Sequence, residues 1–310
     1  MSVPLVLSPE VLLGALGSVC IRGVLNLADR SALAYQGISL SVVLFFNALF
    51  PLALMLCTLG LLGALDQNFL ELLTHPGCIL NGFVSHAAAS VFYRGFRDLP
   101  VRTVSAVSKL SDLFIPFVIF ALGKELELNN TLFAVLTTAL FFPFLRGLSL
   151  KASPALSGVM ILMVGMPLVQ VWVNTFTKVD QLAREPMAFA QVFAAMLVWR
   201  MVIVIVMGAR KLKQDLLHKG SSQTRFIPRL MMRSLLAVLA QALFFYAVTR
   251  EAGAMAWPIL NAGPLISSVF AHWFLKERLR RTEGMVLMAF AASLIFCLLL
   301  SSADRLTGQG

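Results

Sequence analysis

Residues 99–125 read LPVRTVSAVSKLSDLFIPFVIFALGKE. The run is long enough to cross a bilayer, because about 20 residues rising about 1.5 Å each match a hydrocarbon core about 30 Å thick. It nevertheless carries Lys109 and Asp112 near its middle. A charge at the bilayer centre costs at least about 2.5–3.5 kcal/mol on insertion scales, so lipid is excluded as its neighbour. Three residues apart on a helix, the two share one face and can pair along it. That face must point into a bundle, and the rest of the chain must supply the bundle.

The composition agrees. Hydrophobic residues make up 59% of the 310, charged residues 13%, and the mean hydropathy is +0.85. A soluble domain is nearer half apolar and a quarter charged. Ten segments are apolar enough to span: 9–27, 38–63, 76–96, 101–123, 128–146, 153–174, 186–208, 229–249, 252–274 and 281–301. Their spacing predicts short connections, except for a basic linker at 209–228, ARKLKQDLLHKGSSQTRFIP. The start, MSVPLVLSPEVLLGALGSVC, lacks a positive n-region and a clear cleavage site, and is expected to be a membrane helix rather than a removable signal.

The net charge of +10 would suggest nucleic acid in a soluble protein, but lysine and arginine here collect in the gaps between apolar runs. Alternate gaps hold 17 of the 25 cations on one side and 5 on the other, with Arg22, Lys109 and Arg200 inside spans. Retention of positive loops predicts that the richer side is cytoplasmic and both termini lie outside, in a cell (inner) membrane. No nucleic-acid partner is expected; membrane lipids are, with the 209–228 linker resting against anionic headgroups. Cys20, Cys57, Cys78 and Cys297 fall singly in apolar stretches and read as free thiols, and no metal site or cofactor is expected.

Slid by 152 residues, ASVFYRGFRDLPVRTVSAVSKLSDLFIPFVIFALGKEL (89–126) lies over QALFFYAVTREAGAMAWPILNAGPLISSVFAHWFLKER (241–278). Phe92 then meets Phe244, and Lys124 and Glu125 meet Lys276 and Glu277 without a gap. A five-span unit must invert from one half to the next. The expected fold is therefore an all-α integral membrane protein of ten transmembrane helices, two inverted five-helix repeats (1–150 and 151–310) around a central cavity.

Gly253 and Ala254 at a helix start, Pro264, Glu277 and Gly284 in the second half, with Tyr93, Pro116 and Glu125 in the first, make the chain resemble the ten-helix EamA-like branch of the drug/metabolite transporter superfamily. The resemblance implies a pseudo-symmetric bundle whose cavity is lined by spans three, four, eight and nine and flanked by one, two, six and seven. It also implies cargo such as amino acids or other small metabolites, phosphorylated sugars or nucleotide sugars. It implies cytoplasmic termini too, the reverse of the charge count.

Within the spans, Lys109 reads as a counter-ion for an anionic substrate with Asp112 holding it or binding a proton or amine, as a purely structural ion pair, or as a snorkelling side chain. Arg200, a planar fork suited to carboxylate or phosphate, is a substrate clamp or a helix cap. Arg22 is expected to snorkel. His86, beside Asn81 and Ser85, is an interhelical hydrogen-bond partner or, with Asp112, a proton-coupling pair. Trp257 and Asn261, one turn apart, can stack on and hydrogen-bond a ligand. Tyr93, Tyr246, Gln170, Trp172, Asn174 and Gln241 are weaker candidates. Glu125 and Glu277 are expected in salt bridges or gating contacts at the membrane edge.

No Ser/His/Asp set, metal cluster or phosphate loop appears, so no catalytic residue is expected and the chain is read as no enzyme. The expected function is a secondary transporter of a small anionic or zwitterionic metabolite working by alternating access, coupled to a proton or counter-substrate. A flippase for a phosphate-bearing lipid carrier and a scaffold or receptor without transport are the alternatives.

Overall fold

The computed structural model describes residues 9–123, 154–182, 185–224, 226–249, 259–260, 262–278, 281–282, 284–285 and 288. The expected spans 128–146 and 281–301, apart from the few positions just given, lie outside them, as do Glu125, Trp257 and Asn261. The described chain is all α. Its helices are α1 (Pro9–Arg30), continued by a wider π-helical turn over Ser31–Tyr35, α2 (Leu40–Leu61), the short α3 (Gln67–Thr74), α4 (Pro76–Asp98) and α5 (Val101–Ala121). There follow α6 (Pro154–Thr177), a single turn α7 (Val179–Leu182), α8 (Pro186–Thr224), α9 (Ile227–Thr249) and α10 (Gly263–Leu275).

Among the described residues, six helices are long and apolar enough to cross a membrane: α1 with its π turn, α2, α5, α6, α8 and α9. The protein is a multi-pass integral membrane protein. α4 is as long, but Asn81, Ser85, His86, Ser90 and Arg94 make it more polar, which suits a helix enclosed by others.

Local chemistry sets the ends. The Asp66 carboxylate caps α3 by accepting from Phe69 N at 3.0 Å. His75 Nδ1 caps α4 by accepting from Gly77 N at 3.1 Å, with Pro76 in the first turn. α2 and α5 each stop just before a glycine of positive φ, Gly63 at 66° and Gly123 at 80°, a conformation that suits glycine and closes a helix. Pro51, Pro116 and Pro167 sit inside α2, α5 and α6, tolerated where neighbouring helices and side chains re-satisfy the freed backbone.

One expectation changes. The stretch expected as a linker from residue 209 is helical as far as Thr224, so α8 runs 39 residues, about 58 Å. No proline interrupts it, and ARKLKQDLL is rich in strong helix formers, so the helix continues past the bilayer.

The long helices pack as a closed ring in the order α1, α9, α2, α8, α4, α6, α5, α10 and back to α1. The basic segments meet at one end. Arg30 donates to the carbonyls of Phe96 and Arg97 at 2.7 Å each, Arg102 donates to Arg278 O, and Ser41 donates to Asp215. At the opposite end, Gln191 Nε2 donates to Ala64 O at 2.8 Å and to Asp66 at 3.0 Å, and Trp199 donates to Leu73 O at 2.7 Å. Close approach fixes α4 against α8: a Cβ added at Gly82 would stand 2.5 Å from Trp199 Cβ and 3.0 Å from Arg200 N.

Candidate functional site

α1 places Ser18, Arg22 and Asp29 four and seven residues apart, on one face. Ser18 donates to Ala240 O of α9 at 2.9 Å, which draws the two helices together. Arg22 lies along that face toward α9. Its Nη2 donates to Gln241 Oε1 at 3.0 Å, its Nε donates to Ser18 Oγ at 3.4 Å, and the guanidinium lies 5.2 Å from the Phe244 ring centroid. Two turns on, the Asp29 carboxylate, 4% exposed, accepts both arms of Arg233, at 2.9 and 2.8 Å. That bidentate pair joins α1 to α9 and is the geometry guanidinium favours.

α2 and α4 complete the group. Asn47, 1% exposed, donates to Tyr93 Oη at 2.6 Å, and the Tyr93 ring lies 5.7 Å from the Arg233 guanidinium. Arg200 of α8 is close to Tyr93, Asp29 and Arg233. Arg22, Arg200 and Arg233 together wall a cavity of about 230 Å³, with Asn47, Pro51 and Gln241 among the other residues around it. Arg22 is exposed and Arg200 half-buried, and both line the cavity. At about 1.5 Å per residue, Arg22, Asn47, Arg200 and Arg233 sit about 20–24 Å from the non-basic ends of their helices, at a common depth within the membrane.

Two further cavities flank this one. Toward the non-basic end, about 480 Å³ lies among Pro186, Phe189, Phe245 and Tyr246, and it shares Phe193, Val238 and Gln241 with the arginine cavity. Toward the basic end, about 390 Å³ lies among Gln36, Phe226, Arg229 and Asp29, and it shares Arg233. The three form a file from one end of the protein to the other, and the Asp29–Arg233 pair stands between the middle and the basic-end spaces. Within or beside the middle space, Arg200 Nε, Asn47 Oδ1 and Ser234 Oγ are buried without a hydrogen-bond partner among the described residues.

The other predicted residues lie elsewhere. Lys109 Nζ and Asp112 Oδ2 pair at 3.1 Å along α5, with side chains 23% and 21% exposed. α5 packs on α6 and α10 and is not among the helices α1, α2, α8 and α9 that wall the arginine cavity. His86 lines a groove of about 630 Å³ between α2, α4, α6 and α8. The charged group facing it is Arg200, not Asp112. Phe83, Leu162, Val169 and Met207 are exposed along that groove, and Arg94 and Lys211 stand at its basic end. Of the weaker candidates, Gln241 belongs to the arginine cavity, Tyr246 to the space beside it, and Trp172 stacks on Phe176 with a ring separation of 5.1 Å.

Asp29 and Arg233 were absent from the sequence-based candidates because both fell near span ends. The signal that could have found them is Asp29 itself, a lone carboxylate about two turns from Arg22. At the basic end, Glu277 lies 3.7 Å from Arg30 and accepts from Val101 N at 3.4 Å, tying α1, α5 and the end of α10. Burial holds the Glu277 carboxyl above its usual range, against the opposing pull of the Val101 N–H, Arg30 and Arg102.

Among the described residues, no group of three or more His, Cys, Asp and Glu side chains is placed to hold a metal ion. Compared with known proteins, the chain matches no family model and no curated protein. It is similar to a solved crystal structure over 96% of this chain and 98% of that one, with a TM-score of 0.52 and 13% identity. At that identity the likeness is one of fold.

Proposed function

We propose that the protein is a secondary transporter of a small anionic or zwitterionic metabolite, and that it belongs with the drug/metabolite transporters of the EamA-like kind. The observation that carries this reading is the file of three cavities whose middle member is lined by three arginines, one of them paired with Asp29 of the basic-end space. Charges at that depth are costly and mark substrate or ion pathways. A cavity suited to an anion within the membrane, with an ion pair on one side and an aromatic-lined space on the other, suits alternating access.

The two-half architecture gains support from the helix ring. Exchanging α1 with α6, α2 with α8, α4 with α9 and α5 with α10 maps the ring onto itself with its sense reversed. A two-fold axis in the membrane plane reverses the sense of a ring, whereas one along the membrane normal preserves it. Inverted repeats have the former. The basic end is taken as cytoplasmic. Coupling to a proton or to a counter-substrate is the expected energy source, because the sequence carries no phosphate-binding loop.

A lipid-carrier flippase is the second reading, favoured by the groove of His86, Arg94 and Lys211, which opens along exposed apolar side chains. Counter-flow in proteoliposomes separates the two. Water-soluble anions or zwitterions should exchange across the membrane, and Arg200→Gln should slow that exchange at least about tenfold, since a hydrogen bond to a charged group contributes about 1.5–3 kcal/mol. Exchange unchanged by Arg200→Gln would remove the arginine cavity from the pathway. Scrambling of a phosphate-bearing lipid without solute exchange would favour the flippase.

A further inference from the structure

We infer that the arginine cavity takes a compact, doubly charged oxoanion. The inference rests on the transport reading of this cavity and specifies its cargo by charge. Asp29 gives both oxygens to Arg233, so that pair is neutral. The Lys109–Asp112 pair on α5 is likewise self-balanced. Arg22 and Arg200 are left. Arg22 meets the neutral oxygens of Gln241 and Ser18, Arg200 meets Tyr93, and neither has a carboxylate partner among the described residues.

Two guanidiniums without a carboxylate partner on the wall of one cavity favour an anion there, because guanidinium binds oxoanions through charge-assisted hydrogen bonds. A zwitterion brings no net charge and a monoanion leaves one arginine unbalanced. A dianion neutralises both. Guanidinium presents its donors as a rigid fork that matches the paired oxygens of carboxylate, phosphate or sulfate. Size points the same way: about 230 Å³ around the three arginines is below the roughly 300–1,000 Å³ of pockets for drug-sized ligands and suits a compact anion.

Thermal unfolding of the purified full-length protein in detergent at pH 7.5 tests this. The probes are sulfate, hydrogen phosphate and succinate, against chloride, acetate and glycine at matched ionic strength. A dianion that binds the native state raises the melting temperature saturably. The expected result is that at least one dianion does so and none of the monoanions or glycine does. Succinate alone would mark a dicarboxylate cargo, and sulfate or phosphate alone a tetrahedral one.

Arg22→Gln and Arg200→Gln should each weaken dianion binding at least about tenfold and bring monoanions up to parity with it. Arg200→Lys, which keeps the charge and loses the fork, should weaken binding but keep the preference for two charges. This variant serves if the glutamine forms fail to fold. The inference is overturned if no dianion stabilises the protein beyond chloride, or if sulfate and succinate stabilise the arginine variants as well as they do the wild type. Its failure is separable from that of the transport reading. Arg200-dependent exchange of glycine or acetate in proteoliposomes with no dianion binding would leave transport standing. Selective dianion binding with no exchange of any solute would do the reverse.

Discussion

Two regions of this protein put charge inside the membrane, and they solve the cost differently. On α5, Lys109 and Asp112 are three residues apart and cancel each other within one turn of one helix. In the cavity between α1, α2, α8 and α9, Arg233 finds its carboxylate on a helix 204 residues away, and Arg22 and Arg200 find none among the described residues. The first arrangement is a pair formed within a single helix. The second leaves two guanidiniums without a carboxylate partner, which is the basis for proposing an anion there. The contrast separates intramembrane charge that is paired within one helix from charge left over after the protein's own pairing, and the proposed site uses the latter.

The sharpest way to break this contrast is to cut the long-range pair. Asp29→Asn leaves Arg233 buried without its anion and should destabilise the protein by about 3–5 kcal/mol, as loss of one partner of a buried pair does. Asp29→Leu with Arg233→Met should recover most of that loss, measured by thermal unfolding in detergent. A single variant as stable as wild type would mean that Arg233 is solvated and the pair is superficial.

Next in size is the contact that positions Arg200. Gly82→Ala puts a methyl 2.5 Å from Trp199 Cβ and should cost about 1–3 kcal/mol by overpacking α4 against α8. It should also slow solute exchange, because the added methyl would stand 3.0 Å from the backbone nitrogen of Arg200. Unchanged stability and exchange would show that the two helices separate freely.

On α5 the effect should be smaller. Lys109→Gln with Asp112→Asn removes a partly exposed pair and should change stability by no more than about 1 kcal/mol. Lys109→Gln alone should slow exchange less than Arg200→Gln does. The opposite order would move the anion site to α5.

The smallest effect is a pH dependence at the basic end. The Glu277 carboxyl is raised above its ordinary 4.5, chiefly by burial. The folded state then holds its proton more tightly than the unfolded state. Its contribution is full below pH 4.5 and is lost as pH rises through the raised folded value. Glu277→Gln should flatten the melting-temperature profile across that window, with its advantage over wild type appearing on the higher-pH side. Parallel profiles would show that Glu277 titrates as if exposed.

The membrane class, most of the described spans and the segregation of cations were legible because each depends on local composition. The Lys109–Asp112 pairing was legible for the same reason, being set by helical spacing alone. The arginine cavity was only half legible. Arg200 and Tyr93 stood out as polar groups in apolar runs, but Asp29 and Arg233 sit near helix ends, where sequence cannot distinguish a side chain that turns inward from one that reaches water. Arg22 shows the same ambiguity, and its contact Gln241 is 219 residues away. His86 read naturally with Asp112 as a titrating pair, yet packing set it on α4 facing Arg200. Which helices become neighbours is a property of the ring, and no local spacing encodes it.

The central claim is that the arginine cavity opens in turn to the two faces of the membrane. It is tested most directly by a cysteine placed at Ala237 on the cavity wall, with Cys20, Cys57, Cys78 and Cys297 replaced by alanine, in oriented vesicles. A membrane-impermeant thiol reagent should modify that cysteine from either face, and sulfate or succinate should protect it. Modification from one face only, or from neither, would contradict alternating access through this cavity.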